Sequence, residues 1–162
     1  MTKLRANYSY QWIVKSELSQ VWMFFERSFQ DSSWVKEWPN SLSTIHHVDS
    51  HGGLRSGSHL AMTYKLGPLR SIAPYRIDSI VRESSLVYET MPDHPLHGRS
   101  EIRLTSLNHH TLCRWSGFYE VKSTRGYLLL AWFKIFFGRI FFGFIERKMK
   151  NLPSGRIVKL VA

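Results

Sequence analysis

With 162 residues, 43% hydrophobic and 14% aromatic, the chain is long enough for one domain with a sizeable core and too apolar to be disordered. Its 22 Lys and Arg against 12 Asp and Glu give a formal charge of +10, which favours acidic partners such as anionic lipid headgroups or nucleic acid without choosing between them. A single cysteine, Cys113, excludes an intrachain disulfide and a thiolate metal cluster, and a reducing cytoplasm is the natural setting.

At the amino terminus Tyr8, Tyr10 and Trp12 alternate with polar residues, so the unbroken apolar segment of a signal peptide is missing and no export is expected. The alternation predicts a first strand over 8–15. Leu18, Val21, Trp22 and Phe25 then share one helical face, with Ser16 or Ser19 as the cap. Phe29, Trp34 and Trp38 suggest a second short helix that stops at Pro39, which lacks the N–H donor and restricts the residue before it.

From Ser41 onward short alternating runs predict an antiparallel meander, with strands near 43–49, 58–66, 71–82, 86–91, 99–106 and 111–121. Turns fall at Gly52 and Gly53, at Gly67 and Pro68, over 83–85, over 92–98, and at Asn108 and His109. No repeat or interdomain linker interrupts the pattern.

The segment 126–152 reads as one long aromatic helix. Its stretch 127–145 approaches spanning length but carries Lys134 and Arg139 near the middle. Each Leu, Ile or Phe there gains roughly 0.3 to 0.6 kcal/mol on insertion, and each central cation costs about 2.5 to 3.5 kcal/mol, so the two nearly cancel. The apolar face of the preceding strands needs a cover, which favours a helix packed on its own domain. A rotation of about 100° per residue places Leu129, Phe133, Phe136, Phe137, Ile140 and Phe144 on the face toward the sheet, and Ile135, Phe142 and Ile145 on the outer face beside Lys134 and Arg139. A hydrophobic helix across a curved sheet tends to leave apolar space beneath it.

The order strand, two helices, six strands and one long carboxy-terminal helix resembles the helix-grip fold of the START-like superfamily, also called SRPBCC. Leu18, Ser19, Gln20, Val21 and Trp22 look like the helix opening of its polyketide cyclase/dehydrase-like branch, and Trp34 and Trp38 follow where such proteins often place tryptophan. Gly52, Gly53 and Gly57 resemble that branch's glycine turn, and 111–115 is similar to its Thr-x-hydrophobic-x-Trp strand. The resemblance implies a single α+β domain over 1–162. Its parts would be a seven-stranded curved antiparallel sheet, two short helices after the first strand, and a long final helix packed across the sheet. It also implies a hydrophobic pocket between sheet and helix, which relatives use for lipids, hormones, quinones or polyketides. The superfamily has no shared catalytic signature, so no catalytic residue is carried over and no cofactor is implied.

On the helix, Phe133, Phe137 and Ile140 are the lining candidates. On the strands, Leu60, Met62 and Tyr64 share a side with Tyr75 and Ile77, and Tyr88, Ile102, Leu104 and Trp115 extend it. Met62 and Trp115 supply apolar wall, while Tyr64, Tyr75 and Tyr88 are half-apolar groups able to orient a ligand oxygen. Most of these positions also serve as ordinary core.

Eight histidines raise the question of a metal, but His46 with His47 and His109 with His110 are strand neighbours that point to opposite faces. His94 and His97 lie in a proline-rich loop with Asp93, and solvated loop histidines explain them better than metal ligation. There is no Gly-x-Ser-x-Gly elbow and no phosphate loop, and Cys113 within a strand reads as a small buried hydrophobe. Glu89, Glu101, Arg103, Arg114 and Glu120 read as outer-face ion pairs. Arg147, Lys148, Lys150, Arg156 and Lys159 complement the dipole of the final helix, with a surplus that suits anionic lipid.

The expectation is a cytoplasmic protein, monomeric or homodimeric, that binds or carries a hydrophobic small molecule. It includes peripheral contact with an anionic membrane and no specific nucleic-acid or metal partner. The alternative is a cyclase or dehydratase acting in the same cavity, which requires an ionisable group with a disturbed pKa inside it.

Overall fold

The computed structural model describes residues 4–36, 38–48, 52–66, 68–121, 126–127, 130–131, 133–134, 138–150, 152 and 157–159. The elements are β1 (Arg5–Val14), α1 (Leu18–Asp31), one 3-10 turn (Ser32–Trp34), β2 (Ser43–His47), β3 (His59–Leu66), β4 (Leu69–Val81), β5 (Ser85–Thr90), β6 (Leu96–Leu107), β7 (His110–Val121), α2 (Gly138–Met149) and β8 (Ile157–Lys159). All strands pair antiparallel in one sheet of order β2-β3-β4-β5-β6-β7-β1-β8. The first seven strands are those of a helix-grip sheet, and β8 adds three residues against Trp12, Ile13 and Val14 of β1.

The period-2 pattern selects the inner face. Trp12 and Val14 of β1, Leu60 and Met62 of β3, Ala73, Tyr75 and Ile77 of β4, Ile102 and Leu104 of β6, and Cys113, Trp115 and Tyr119 of β7 are all buried. The outer face carries ion pairs, Arg5 with Glu120, Arg76 with Glu89, Arg99 with Asp78 and Arg103 with Glu101. These are solvent-exposed pairs, each worth about 0 to 1 kcal/mol. Between β6 and β7 the turn is two residues long, and Asn108 takes φ +56°, a conformation its short polar side chain tolerates.

Helix α1 buries Val21, Trp22, Phe24, Phe25 and Phe29. Its cap position is Glu17, with no side-chain bond to the helix end. Neither serine expected to cap it does so: the Ser16 hydroxyl donates to the Gln20 side chain at 2.6 Å, and its carbonyl accepts from Thr111 at 2.9 Å. The expected second short helical turn is the 3-10 turn, which the Asp31 carboxylate opens by accepting the Ser33 N–H at 2.9 Å. Trp34 is left 86% exposed, whereas Trp38 is buried in the core. Strand β6 begins inside the expected turn over 92–98, where His94 Nδ1 accepts the Leu96 N–H at 3.0 Å and the Thr90 hydroxyl accepts the Gly98 N–H at 2.8 Å.

The carboxy-terminal helix meets the sheet on a different face from the one the periodicity predicts. In α2, Phe141, Phe142, Ile145 and Met149 are buried and Ile140 is 49% exposed, so Phe142 and Ile145 point inward. Phe133 and Lys134 lie in a wider π-type turn. The buried positions of α2 fall one residue later than the sequence pattern gives, at 141 and 145 in place of 140 and 144. Leu129, Ile135, Phe136 and Phe137 lie outside the described residues. No helix among the described residues is long and apolar enough to cross a membrane.

Candidate functional site

The concave face of the sheet closes on α1, the turn before β2, and α2, and a cavity lies between them. Its described lining comes from Tyr8 of β1, Trp38 before β2, Ser43 and Ile45 of β2, and Met62 and Tyr64 of β3. Tyr88 of β5, Trp115 and Tyr119 of β7, Phe133, and Phe141 and Phe142 of α2 complete it. The space inside is about 20 Å³, enough for roughly one water-sized group. The sequence leads one to expect open apolar space under the helix, and the structure instead fills most of that space with aromatic rings. Phe142 stacks on Tyr10 at 3.9 Å between ring centres and meets Trp115 edge-on at 5.1 Å. Phe133 meets Tyr119 edge-on at 4.8 Å, and Phe141 meets Trp38 at 5.6 Å. Each such pair contributes about 0.5 to 1.5 kcal/mol beyond its buried area.

Five tyrosines, Tyr75, Tyr88 and Tyr119 buried and Tyr8 and Tyr64 partly buried, organise the polar part of the wall. Tyr64 and Tyr75 share a hydrogen bond of 2.8 Å, and Tyr75 continues to Tyr119 at 3.2 Å. Tyr8 bonds Ser100 at 2.5 Å, and Trp115 Nε1 donates to the Tyr88 hydroxyl at 3.1 Å. Burial raises the pKa of all five phenols above the usual tyrosine value, and neighbouring phenols push Tyr8, Tyr64, Tyr75 and Tyr88 further in the same direction. They are therefore neutral hydrogen-bonding groups near pH 7 and supply no base. Cys113 is fully buried, and the same desolvation keeps its thiol protonated.

The residues singled out from the sequence divide as follows. Met62, Tyr64, Tyr88, Trp115 and Phe133 border the cavity. Tyr75 stands behind it and reaches it through the Tyr64 hydroxyl. Ile140 faces away, half exposed. Phe137 lies outside the described residues. Tyr8, Trp38, Ser43, Ile45, Tyr119, Phe141 and Phe142 line the cavity without having been named as lining from the sequence. The strand alternation already contained three of them, since Tyr8 follows the parity of Trp12 and Tyr119 that of Trp115, and Ile45 heads a buried strand face.

His94, expected to be solvated, is 2% exposed, with Tyr75 5.1 Å and Tyr119 6.5 Å away between ring centres. Its Nδ1 accepts the Leu96 N–H, which holds the loop against the sheet. Among the described residues no group of three His, Cys, Asp or Glu side chains is arranged to hold a metal ion.

No family model matches the sequence, and no curated protein matches it. Solved structures do match the fold. The Zhui aromatase/cyclase of a Streptomyces species aligns with a TM-score of 0.66 at 10% identity, over 91% of this chain and 95% of that one. Norcoclaurine synthase from Thalictrum flavum, in complex with dopamine and hydroxybenzaldehyde, aligns with a TM-score of 0.61 at 12% identity, over 91% of this chain and 85% of that one. Major latex-like protein 151 from Panax ginseng aligns with a TM-score of 0.61 at 19% identity, over 93% of this chain and 99% of that one. At 10 to 19% identity the likeness is one of fold, and the fold this chain shares with these proteins is the helix grip.

Proposed function

We propose that this protein binds or carries a hydrophobic small molecule, of lipid, quinone or polyketide type, in the space between the sheet and α2 and does not transform it. The observation that carries this reading is the lining itself: nine of its twelve described residues are aromatic, and none is a carboxylate, amine, guanidinium or imidazole. Ring faces and phenol hydroxyls suit an apolar ligand with an oxygen to orient. The cavity is far below the 300 to 1,000 Å³ or so of a typical ligand site, so a ligand enters by displacing Phe133, Phe141 or Phe142. Phe141 and Phe142 sit on α2, a helix that meets the sheet through its side chains.

The structural likeness to an aromatase/cyclase favours a second reading, a cyclase or dehydratase in the same cavity. That chemistry calls for an acid or base of suitable pKa beside the substrate, and the described lining offers only phenols that burial holds neutral. Binding without reaction is the better account. Peripheral attachment to an anionic membrane fits the same picture, because Ile140 is exposed on α2 next to the exposed Arg139 in the chain, with the exposed Arg147 two turns further along the helix.

Native mass spectrometry of the protein isolated from its own organism, with extraction and identification of any released molecule, tests the reading. Recovery of a lipid, quinone or polyaromatic in near-equal amount with protein supports it. Repeated recovery of ligand-free protein that also takes up none from a lipid extract overturns it.

A further inference from the structure

Two polar groups in the cavity wall stand apart from the tyrosine network. Trp38 and Ser43 are each 2% exposed, both border the cavity, and among the described residues neither Trp38 Nε1 nor Ser43 Oγ has a hydrogen-bond partner. They flank a tight turn in which Leu42 N and Ser43 N both donate to the Pro39 carbonyl, at 2.8 Å and 3.1 Å. The turn thus delivers an indole N–H and a hydroxyl to the same cavity. Leaving a buried donor unpaired is unfavourable, and the large majority of buried polar side-chain atoms have partners. By contrast, Trp115, the other tryptophan of the lining, spends its N–H on Tyr88 at 3.1 Å. The two orphan groups are the part of the wall that the protein itself does not satisfy.

Resting on the reading of the cavity as a ligand site, we infer that its ligand is neutral and carries a carbonyl-type oxygen that accepts from Trp38 Nε1 and Ser43 Oγ. An indole N–H only donates, so its partner is an acceptor. A hydroxyl can rotate to donate to the same oxygen. No described lining residue carries a positive charge, so a carboxylate or phosphate in this place would be buried without a counter-ion, at large cost. A plain hydrocarbon would leave both donors unpaired. Ketones, quinones, esters and lactones on an apolar frame satisfy both conditions; free fatty acids and hydrocarbons do not.

Equilibrium dialysis of the unaltered protein against fluorene, 9-fluorenone and fluorene-9-carboxylate tests this with one ring frame in three chemical states. The expected result is 9-fluorenone held about tenfold more tightly than fluorene, the equivalent of one net hydrogen bond, with the carboxylate weakest. In Ser43→Ala and Trp38→Phe the ratio of fluorenone to fluorene affinity falls toward one, whatever the change in fluorene affinity itself. Ser43→Ala removes an unpartnered hydroxyl and leaves the fold intact, so loss of selectivity in that variant is not a folding defect. Equal binding of fluorene and fluorenone, or tightest binding of the carboxylate, overturns the inference while leaving an apolar-ligand protein in place. Retention of none of the three also overturns it, and the broader reading then falls only if native mass spectrometry likewise finds no bound molecule.

Discussion

Trp115 of β7 donates its indole N–H to the Tyr88 hydroxyl of β5, 3.1 Å away, reaching across β6 beneath the cavity. Both residues are at most 3% exposed, so the bond lies where water cannot replace it. Tyr88→Phe strands the indole donor and is expected to lower unfolding free energy by about 1 to 3 kcal/mol. Trp115→Phe loses more, because ring volume goes with the bond. The double variant should lose less than the sum of the two, since the second change no longer leaves an orphan. Urea unfolding of the four proteins measures the cycle, and strictly additive losses would show that the pair does not couple.

Alkali should unfold this protein cooperatively. The phenols of Tyr8, Tyr64, Tyr75, Tyr88 and Tyr119 have pKa values raised in the folded state, chiefly by burial. Their unfolded value is about 10, so below that pH both states hold the proton and stability is unaffected. As pH rises past about 10 the unfolded chain releases protons that the folded chain retains, and each such tyrosine removes about 1.4 kcal/mol per pH unit until its own folded pKa is reached. Tyrosinate absorbance should therefore rise in a steep step that coincides with loss of near-ultraviolet circular dichroism. A gradual rise with tertiary structure intact would mean that these phenols are open to solvent.

The sheet was legible because it follows from a period of two residues, which survives irregular turns. Tyr64, Met62 and Trp115 reached the cavity wall on that pattern alone. The helix was less legible because its phase depends on every turn before it, and a wider π-type turn stands at Phe133 and Lys134 ahead of α2. Ile140 was read as lining for that reason, and Phe142 as outward facing. Trp38 and Ser43 could not be read at all, because their role depends on a turn at Pro39 that brings a loop residue and a strand residue to one cavity. Nor does sequence show that the rings nearly fill the space, which is a matter of rotamers and packing.

Two glycines should respond to alanine in opposite ways. Gly117 of β7 sits between Tyr8 of β1 and Ser100 of β6 in the ladder. A Cβ there would overlap the Arg99 carbonyl oxygen and lie 2.9 Å from both the Tyr8 hydroxyl and the Ser100 Cα. Backbone cannot give way as a flexible side chain can, so Gly117→Ala should cost about 1 to 3 kcal/mol and disturb the Tyr8 to Ser100 bond. Among the described residues nothing lies within 4 Å of the same added atom at Gly143 of α2. Gly143→Ala should raise stability by up to about 1 kcal/mol through helix propensity. Thermal melts of the two variants check both signs, and a destabilising Gly143→Ala would place something against that face of the helix.

Membrane attachment makes a prediction about the outer face of α2. Ile140 is 49% exposed there, Arg139 and Arg147 are exposed beside it, and the Arg147 guanidinium lies 5.7 Å from the Phe144 ring centre. An interfacial helix seats its apolar side chains among the lipid headgroups while its cations meet anionic lipid. Each such cation is worth about 1 kcal/mol at an anionic surface, so Arg139→Gln should weaken binding to phosphatidylserine vesicles about fivefold. Ile140→Asn should weaken it through lost insertion, and that effect should persist in salt, whereas the effect of Arg139→Gln should fade as ionic strength rises. Co-sedimentation with phosphatidylserine and with neutral phosphatidylcholine vesicles separates the two contributions. Binding that is equal on both lipids and indifferent to either substitution would remove α2 as the contact and leave the charge excess to be spent elsewhere on the surface.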